Sequence, residues 1–327
     1  MKSQFTKKII WAIDPFEKPL KSRSQLISTL GRISKEQKAV VEPVHILDFS
    51  LETKSSFKRS QFQYNQYREG AKKATEAALK GIQGIQFLPA RILMVEDSTP
   101  KETVQILVDY ATQTQALLFV VGTHARRGLP RLFLGSFSET LLMHSHIPVI
   151  TISPDCLINA GQNQILFATD FSKVSSLAFQ KVITFSKNSN ADLTLFHVIP
   201  HPIEPLVQSG TYLISGGLVS TPDFMKKNEE TTRKLADKWK KIAQDKGVKI
   251  KVQIDSSRGS ISELILKLAR EQNFGLIAMS AESGTVSSTL IGSVAREVVR
   301  RSPCPVWVLR PHEVSSEEAS ANQCQAF

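Results

Sequence analysis

Cysteine is scarce: Cys156, Cys304 and Cys324 are the three in 327 residues, and they stand far apart. With no CxxC pair among them, neither a zinc site nor a disulfide framework is expected. Cys304 lies in the apolar stretch SPCPVWV, where a buried, inert thiol is expected. Cys324 lies in a polar tail and is expected to be exposed. The sequence lacks any run of about 18 apolar residues, so no membrane-spanning helix is expected. Its opening, MKSQFTKKIIWAID, carries basic residues, but the apolar run IIWAI is too short for a signal peptide. That segment reads as a first strand, and the expected compartment is the cytoplasm. Acid is in the minority, with 30 Asp and Glu against 41 Lys and Arg and a formal net charge of +11. The basic residues are scattered, and their densest clusters, KKNEE and KWKK, fall on one amphipathic helix. A solvated basic surface is therefore expected, and nucleic acid is not the expected partner. Catalytic signatures are missing too. There is no GxSxG elbow, and nothing places a histidine beside Ser172 to make a triad with Asp170. His144 and His146 have no third metal ligand near them and read as helix-end residues. No catalytic residue and no metal site is expected.

What the sequence does contain is a repeat. Residues 134–151 read LGSFSETLLMHSHIPVIT and residues 291–308 read IGSVAREVVRRSPCPVWV. Gly135 matches Gly292, and Pro148 matches Pro305, both 157 positions apart (292 against 135). Between them, Phe137, Leu141 and Leu142 in one copy answer Val294, Val298 and Val299 in the other, a spacing that puts them on one helix face. The starts of the copies also match. KKIIWAIDPF ends its apolar run at Asp14, and NQILFATDFS ends its run at Asp170. The offset is nearly the same at both ends, which means one domain duplicated. The expected domains are 1–156 and 163–312, joined by a linker within 153–162. The tail, 313–327, lacks apolar periodicity and is expected to be disordered.

Each copy alternates strands and helices. In the second, QILFAT is a strand, and Leu177, Ala178, Val182 and Phe185 form a helix stripe. Strand DLTLFHVI follows, then a polar helix around 223–247, strand KIKVQI, helix SISELILKLAREQ, and strands GLIAM and PVWVL. Ser260 and Glu263 have capping-box spacing, as do Thr99 and Glu102 around the helix-start Pro100. Strands separated by helices argue for an open parallel sheet with helices on both faces. The last strands, Pro148–Ile152 and Pro305–Leu309, are short and apolar. Such an edge is a liability unless paired, so the two copies are expected to pair within one chain through these strands, as a pseudo-dimer.

The first copy reads VVGTHARRGLPRLFLGSFSE. It resembles the universal stress protein signature: two glycines separated by two residues, then Gly-Ser or Gly-Thr nine residues on. Here those positions are Gly122, Ala125, Gly135 and Ser136. LFATDFS, LFHVI and GSVAREVV with PCPVWVL in the second copy are similar to the family as well. The resemblance covers nearly the whole chain, apart from inserts near 50–70 and 201–222 and the tail. It implies two tandem Rossmann-like, adenine-nucleotide-binding domains. It implies that Asp14 or Asp170 bonds the nucleoside and that Ile46 or Val198 packs on adenine. The signature residues, Val121, Gly122, Ala125, Gly135, Ser136 and Phe137, would surround the phosphates. The chemistry suits an anion: glycines admit close approach of backbone N–H groups, and a helix start carries partial positive charge.

The copies depart from the pattern differently. Ala125 replaces the second glycine of the first copy, near the cations His124, Arg126 and Arg127. In the second copy, Met279 answers Val121 and Ser280 stands where Gly122 does. There the loop before Gly292, Ser293 and Val294 is one residue shorter and contains Glu282. A carboxylate beside a triphosphate is repulsive, about 4 kcal/mol per unit pair at about 4 Å and an effective dielectric near 20. ATP or a related adenine nucleotide is therefore expected mainly in the first copy, with the second a degenerate site. The expected role is a cytoplasmic stress-response sensor or regulatory binding protein. The alternatives are a nucleotide-free tandem scaffold that presents surfaces to a protein partner, and a slow ATPase. Ser215-Gly216-Gly217 shares part of the SGGxDS loop of ATP pyrophosphatases but lacks its Asp and comes too late in the domain. Its apolar neighbours, among them Leu213, Ile214, Leu218 and Val219, suggest a flap over an apolar surface.

Overall fold

The computed structural model describes residues 7–16, 21–49, 61–96, 98–123, 135–154, 156, 163–199, 211–214, 217–281 and 291–310. The first copy runs β1 (Lys7–Ala12), α1 (Lys21–Gln37), β2 (Ala39–Asp48), α2 (Gln61–Leu79), β3 (Arg91–Val95), α3 (Pro100–Gln113), β4 (Ala116–Gly122), α4 (Ser136–His144) and β5 (Val149–Ile152). The second runs β6 (Gln164–Ala168), α5 (Lys173–Ser189), β7 (Asp192–Val198), β8 (Thr211–Ile214), β9 (Gly217–Ser220), α6 (Thr221–Asp245), β10 (Ile250–Asp255), α7 (Ile261–Glu271), β11 (Leu276–Ser280), α8 (Ser293–Arg301) and β12 (Val306–Leu309). The insert read as a flap contains the antiparallel hairpin β8–β9.

Ten strands form one sheet in the order β3-β2-β1-β4-β5-β12-β11-β6-β7-β10. Each half is parallel, and the halves meet at a single antiparallel seam where Val306, Trp307 and Val308 pair with Thr151, Ile150 and Val149. This is the pairing expected from the two apolar edges. Strand alternation divides the core into two layers. Ile9, Trp11, Ile150, Ile152, Phe167 and Trp307 point to the face covered by α1, α5 and α6. Ile10, Val149, Leu166 and Val306 point to the face covered by α3, α4, α7 and α8. Both layers run across the seam.

Local signals explain the helix starts. Thr99 and Glu102 form the full capping box, and Pro100 opens α3. Only half of the second box forms: Ser260 accepts from the Glu263 N–H, while the Glu263 carboxylate lies 3.9 Å from Arg301. The α5 stripe differs from the expected one at three apolar positions. Leu177 is an exposed apolar side chain, and Phe179 and Ile183 are buried in its stead. The α5 face is wide because it meets both the sheet and α1.

Polar contacts fix the seam. Gln37 donates to Ser189 Oγ at 2.8 Å, Arg32 to the Gly275 carbonyl at 3.0 Å, and Arg310 to the Met143 carbonyl at 2.7 Å. Arg296 and Glu139, in the first turns of α8 and α4, pair at 3.2 Å. At the amino edge of the first half, the buried Glu42 carboxylate accepts from Lys8 at 2.8 Å and from the Tyr110 hydroxyl at 2.6 Å. Burial and this carboxylate push the Tyr110 hydroxyl well above the usual phenol range. Cys304 is buried and its thiol is pushed up to about 12 by burial, which makes it inert. Cys324 and the tail lie outside the described residues. His144 is the last residue of α4, and His146 Nε2 pairs with Thr112 Oγ1 at 3.0 Å. The α4 end is closed by the backbone, Ser145 N–H to the Leu141 carbonyl.

Candidate functional site

In an open parallel sheet, the crevice lies at the carboxyl ends of adjacent strands whose connections leave in opposite directions. The strand order creates one such point in each copy, between β1 and β4 and between β6 and β11. The first crevice brings the expected residues together. Asp14 follows the end of β1 and is exposed. Its Oδ1 accepts the Phe16 N–H at 3.0 Å, which fixes the carboxylate on a tight turn. Val121 and Gly122 end β4, and Ile46 lies half-buried on β2. Across the crevice, α4 begins at Gly135, with Ser136 exposed and Phe137 half-buried. Ala125, His124, Arg126 and Arg127 lie outside the described residues.

Among the helix starts with a described cap residue, those of α4 and α8 differ from the rest. Thr99, Ser172 and Ser260 cap α3, α5 and α7 with side-chain oxygens. Gly135 supplies no such acceptor to α4, and Gly292 supplies none to α8. The first N–H groups of a helix lack intrahelical partners, and a start without a side-chain cap can offer such donors to an outside acceptor. Gly135 has φ −59° and ψ 136°, a conformation open to any residue. Glycine is therefore not required there by the backbone.

Two supports were not legible in the sequence. The buried Ser138 hydroxyl donates to the Gly122 carbonyl at 2.9 Å and so ties α4 to the end of β4. His45 Nδ1 bonds the Ile13 carbonyl at 3.0 Å, one residue before Asp14. A carbonyl only accepts, so this nitrogen carries the proton. His197 repeats the bond to the Thr169 carbonyl at 2.8 Å, one residue before Asp170. Burial holds both imidazoles below the usual histidine range, partly opposed by these bonds and by the neighbouring aspartates.

The second crevice keeps the same frame. Asp170 is exposed after β6, buried Val198 ends β7, Met279 and Ser280 end β11, and Gly292 precedes exposed Ser293 and half-buried Val294. Gly122 pairs with the last residue of β5 and Ser280 with the last residue of β12. The two positions are thus equivalent in register. Glu282 lies outside the described residues. Among the described residues, no group of three or more His, Cys, Asp or Glu is arranged to hold a metal ion, and no helix is long and apolar enough to cross a membrane.

Fold and crevices define a tandem Rossmann-like α/β protein. The family model described as "Universal stress protein family" matches residues 6–153 and again 162–310. A putative universal stress protein of Staphylococcus aureus (strain USA300) is 34% identical over 156 residues, which span 47% of this chain and 87% of that protein. Among solved structures, a universal stress protein from Archaeoglobus fulgidus has the same fold, with a TM-score of 0.62 at 20% identity over 94% of this chain and 100% of that one. A putative universal stress protein from Pseudomonas aeruginosa has a TM-score of 0.54 at 14% identity over 93% of each chain. The chain belongs to the universal stress protein family, and it contains the family's unit twice.

Proposed function

We propose that this chain binds ATP or a related adenine nucleotide in its first copy and acts as a cytoplasmic sensor or regulatory binding protein in a stress response. The reading takes 1–156 and 163–312 as its two domains. The uncapped start of α4, tied through Ser138 to the end of β4 beside β1, carries the proposal. Phosphates would accept from the first-turn N–H groups of α4 and from the Ser136 hydroxyl. Asp14 would accept from the nucleoside, and Ile46 would supply an apolar surface for the base. Val121, Gly122 and Phe137 complete the surround. Membership of the family supports this assignment.

His45 adjoins Asp14, but its Nδ1–H is held by the Ile13 carbonyl and no nucleophile pairs with it among the described residues, so binding rather than turnover is the role favoured. Calorimetric titration of ATP into the intact chain, together with mass analysis of small molecules released from the purified protein, tests the reading. Saturable binding supports it. Absence of both heat and co-purified nucleotide refutes it and leaves a tandem protein-interaction module. Phosphate release above a blank, lost in Asp14→Ala, would replace the sensor with a slow ATPase.

A further inference from the structure

The second crevice is bridged by its own side chains. Ser175 Oγ lies 2.6 Å from Asp170 Oδ1, and Ser280 Oγ lies 3.1 Å from Ser175 Oγ. An ionised carboxylate only accepts, so the Ser175 hydroxyl donates to Asp170 and the Ser280 hydroxyl donates to Ser175. The Ser172 N–H reaches the same Oδ1 at 3.0 Å. The result is a directed chain from the end of β11, through fully buried Ser175 at the start of α5, to the acid beyond β6. It crosses the space between the two strands that form the crevice. A second closure lies beside it: the Gly292 N–H donates to the Ala281 carbonyl at 2.9 Å and joins the two ends of the 282–290 loop.

The first copy has neither hydroxyl. Gly122 occupies the register position of Ser280. The buried faces of α1 and α5 match at an offset of 152, Leu26 with Ala178, Leu30 with Val182 and Ile33 with Phe185. That offset sets Arg23 opposite Ser175, and Arg23 turns away to donate to the Ala78 carbonyl at 2.7 Å. Yet the second copy retains the uncapped glycine helix start. The phosphate-binding element is present and the nucleoside crevice is crossed.

We infer that the Ser280–Ser175–Asp170 hydrogen-bond chain is a latch that excludes an adenine nucleoside from the second copy, and that Ser280 decides which copy binds. The inference rests on the adenine-nucleotide reading of the fold. Adenosine is the probe of choice, because without phosphates it is indifferent to the Glu282 charge. Asp14→Ala, which removes the acceptor proposed for the nucleoside, suppresses the first copy's contribution. In that background, Ser280→Gly should raise adenosine affinity by at least about tenfold over Asp14→Ala alone in equilibrium dialysis. Ser175→Ala, which breaks the chain at its middle without touching β11, should give a smaller gain. It also carries the test if circular dichroism shows that Ser280→Gly fails to fold. If the parent binds ATP and neither variant gains adenosine, the latch is wrong and the first-copy reading stands. If the parent binds no ATP but the Ser280→Gly chain takes up adenosine, the latch stands and the first-copy reading falls. No binding in any protein overturns both.

Discussion

Replacing Gly135 by Asp sets two effects of one side chain against each other. The position has N-cap geometry that any residue can adopt, with φ −59° and ψ 136°. Aspartate is among the best N-cap residues, better than glycine by a few tenths of a kcal/mol, so α4 should gain slightly in stability. The same carboxylate takes the first-turn N–H donors and sets a negative charge where phosphate would lie. A unit pair at about 4 Å repels by about 4 kcal/mol at an effective dielectric near 20. Ser136 is exposed, so solvent and salt screen the repulsion to roughly half, about 2 kcal/mol, or about 30-fold in Kd. The same change at Gly292 should act alike on α8 and much less on ATP affinity, because the second crevice is bridged. The assays are calorimetric titration with ATP and denaturant unfolding of the parent and both variants. Weaker binding with unchanged or raised stability is the expected outcome for Gly135→Asp. Unchanged ATP affinity would show that the α4 start does not hold the phosphates. Parallel loss of binding and stability would show that the variant damages the fold instead.

Four further outcomes follow from the geometry. His45 and His197 are harder to protonate in the fold than in the unfolded chain. Stability from this source is therefore present above about pH 6.5 and lost as pH falls below it, and His45→Asn with His197→Asn should flatten unfolding free energy measured between about pH 7 and pH 5. Trp307, 4% exposed at the seam and 4.7 Å from the Phe185 ring, should cost about 3–5 kcal/mol when cut to Ala in urea unfolding. Separately expressed halves, with β5 and β12 uncovered, should self-associate in sedimentation rather than run as monomers. Glu42→Ala strips the partner from Lys8 and Tyr110. It should destabilise by about 3 kcal/mol while ATP affinity holds, whereas Lys8→Met, Glu42→Leu and Tyr110→Phe together should unfold near the parent.

The sequence by itself determined whatever depends on a few adjacent residues or on pattern. The duplication, the alternation of strands and helices and the capping box at Thr99 are of this kind, because strand period, helix period and cap geometry are local. The seam was legible too, since two short apolar edge strands at equivalent repeat positions have an obvious way to be covered. The residues of the candidate crevices could be named from the family signature, and the strand order explains why Asp14, Gly122 and Gly135, far apart in the chain, converge. What only the tertiary structure decided lies in contacts between distant segments. Ser175 meets Ser280 across 105 positions, and Tyr110 meets Glu42 across 68. Serine and tyrosine carry no local sign of such partners, because a hydroxyl is equally at home in water, in a cap or in a buried relay. Leu177 was misassigned for a related reason. Helical periodicity locates a stripe, but the partner helix α1, brought alongside by the seam, sets which edge of that stripe is buried.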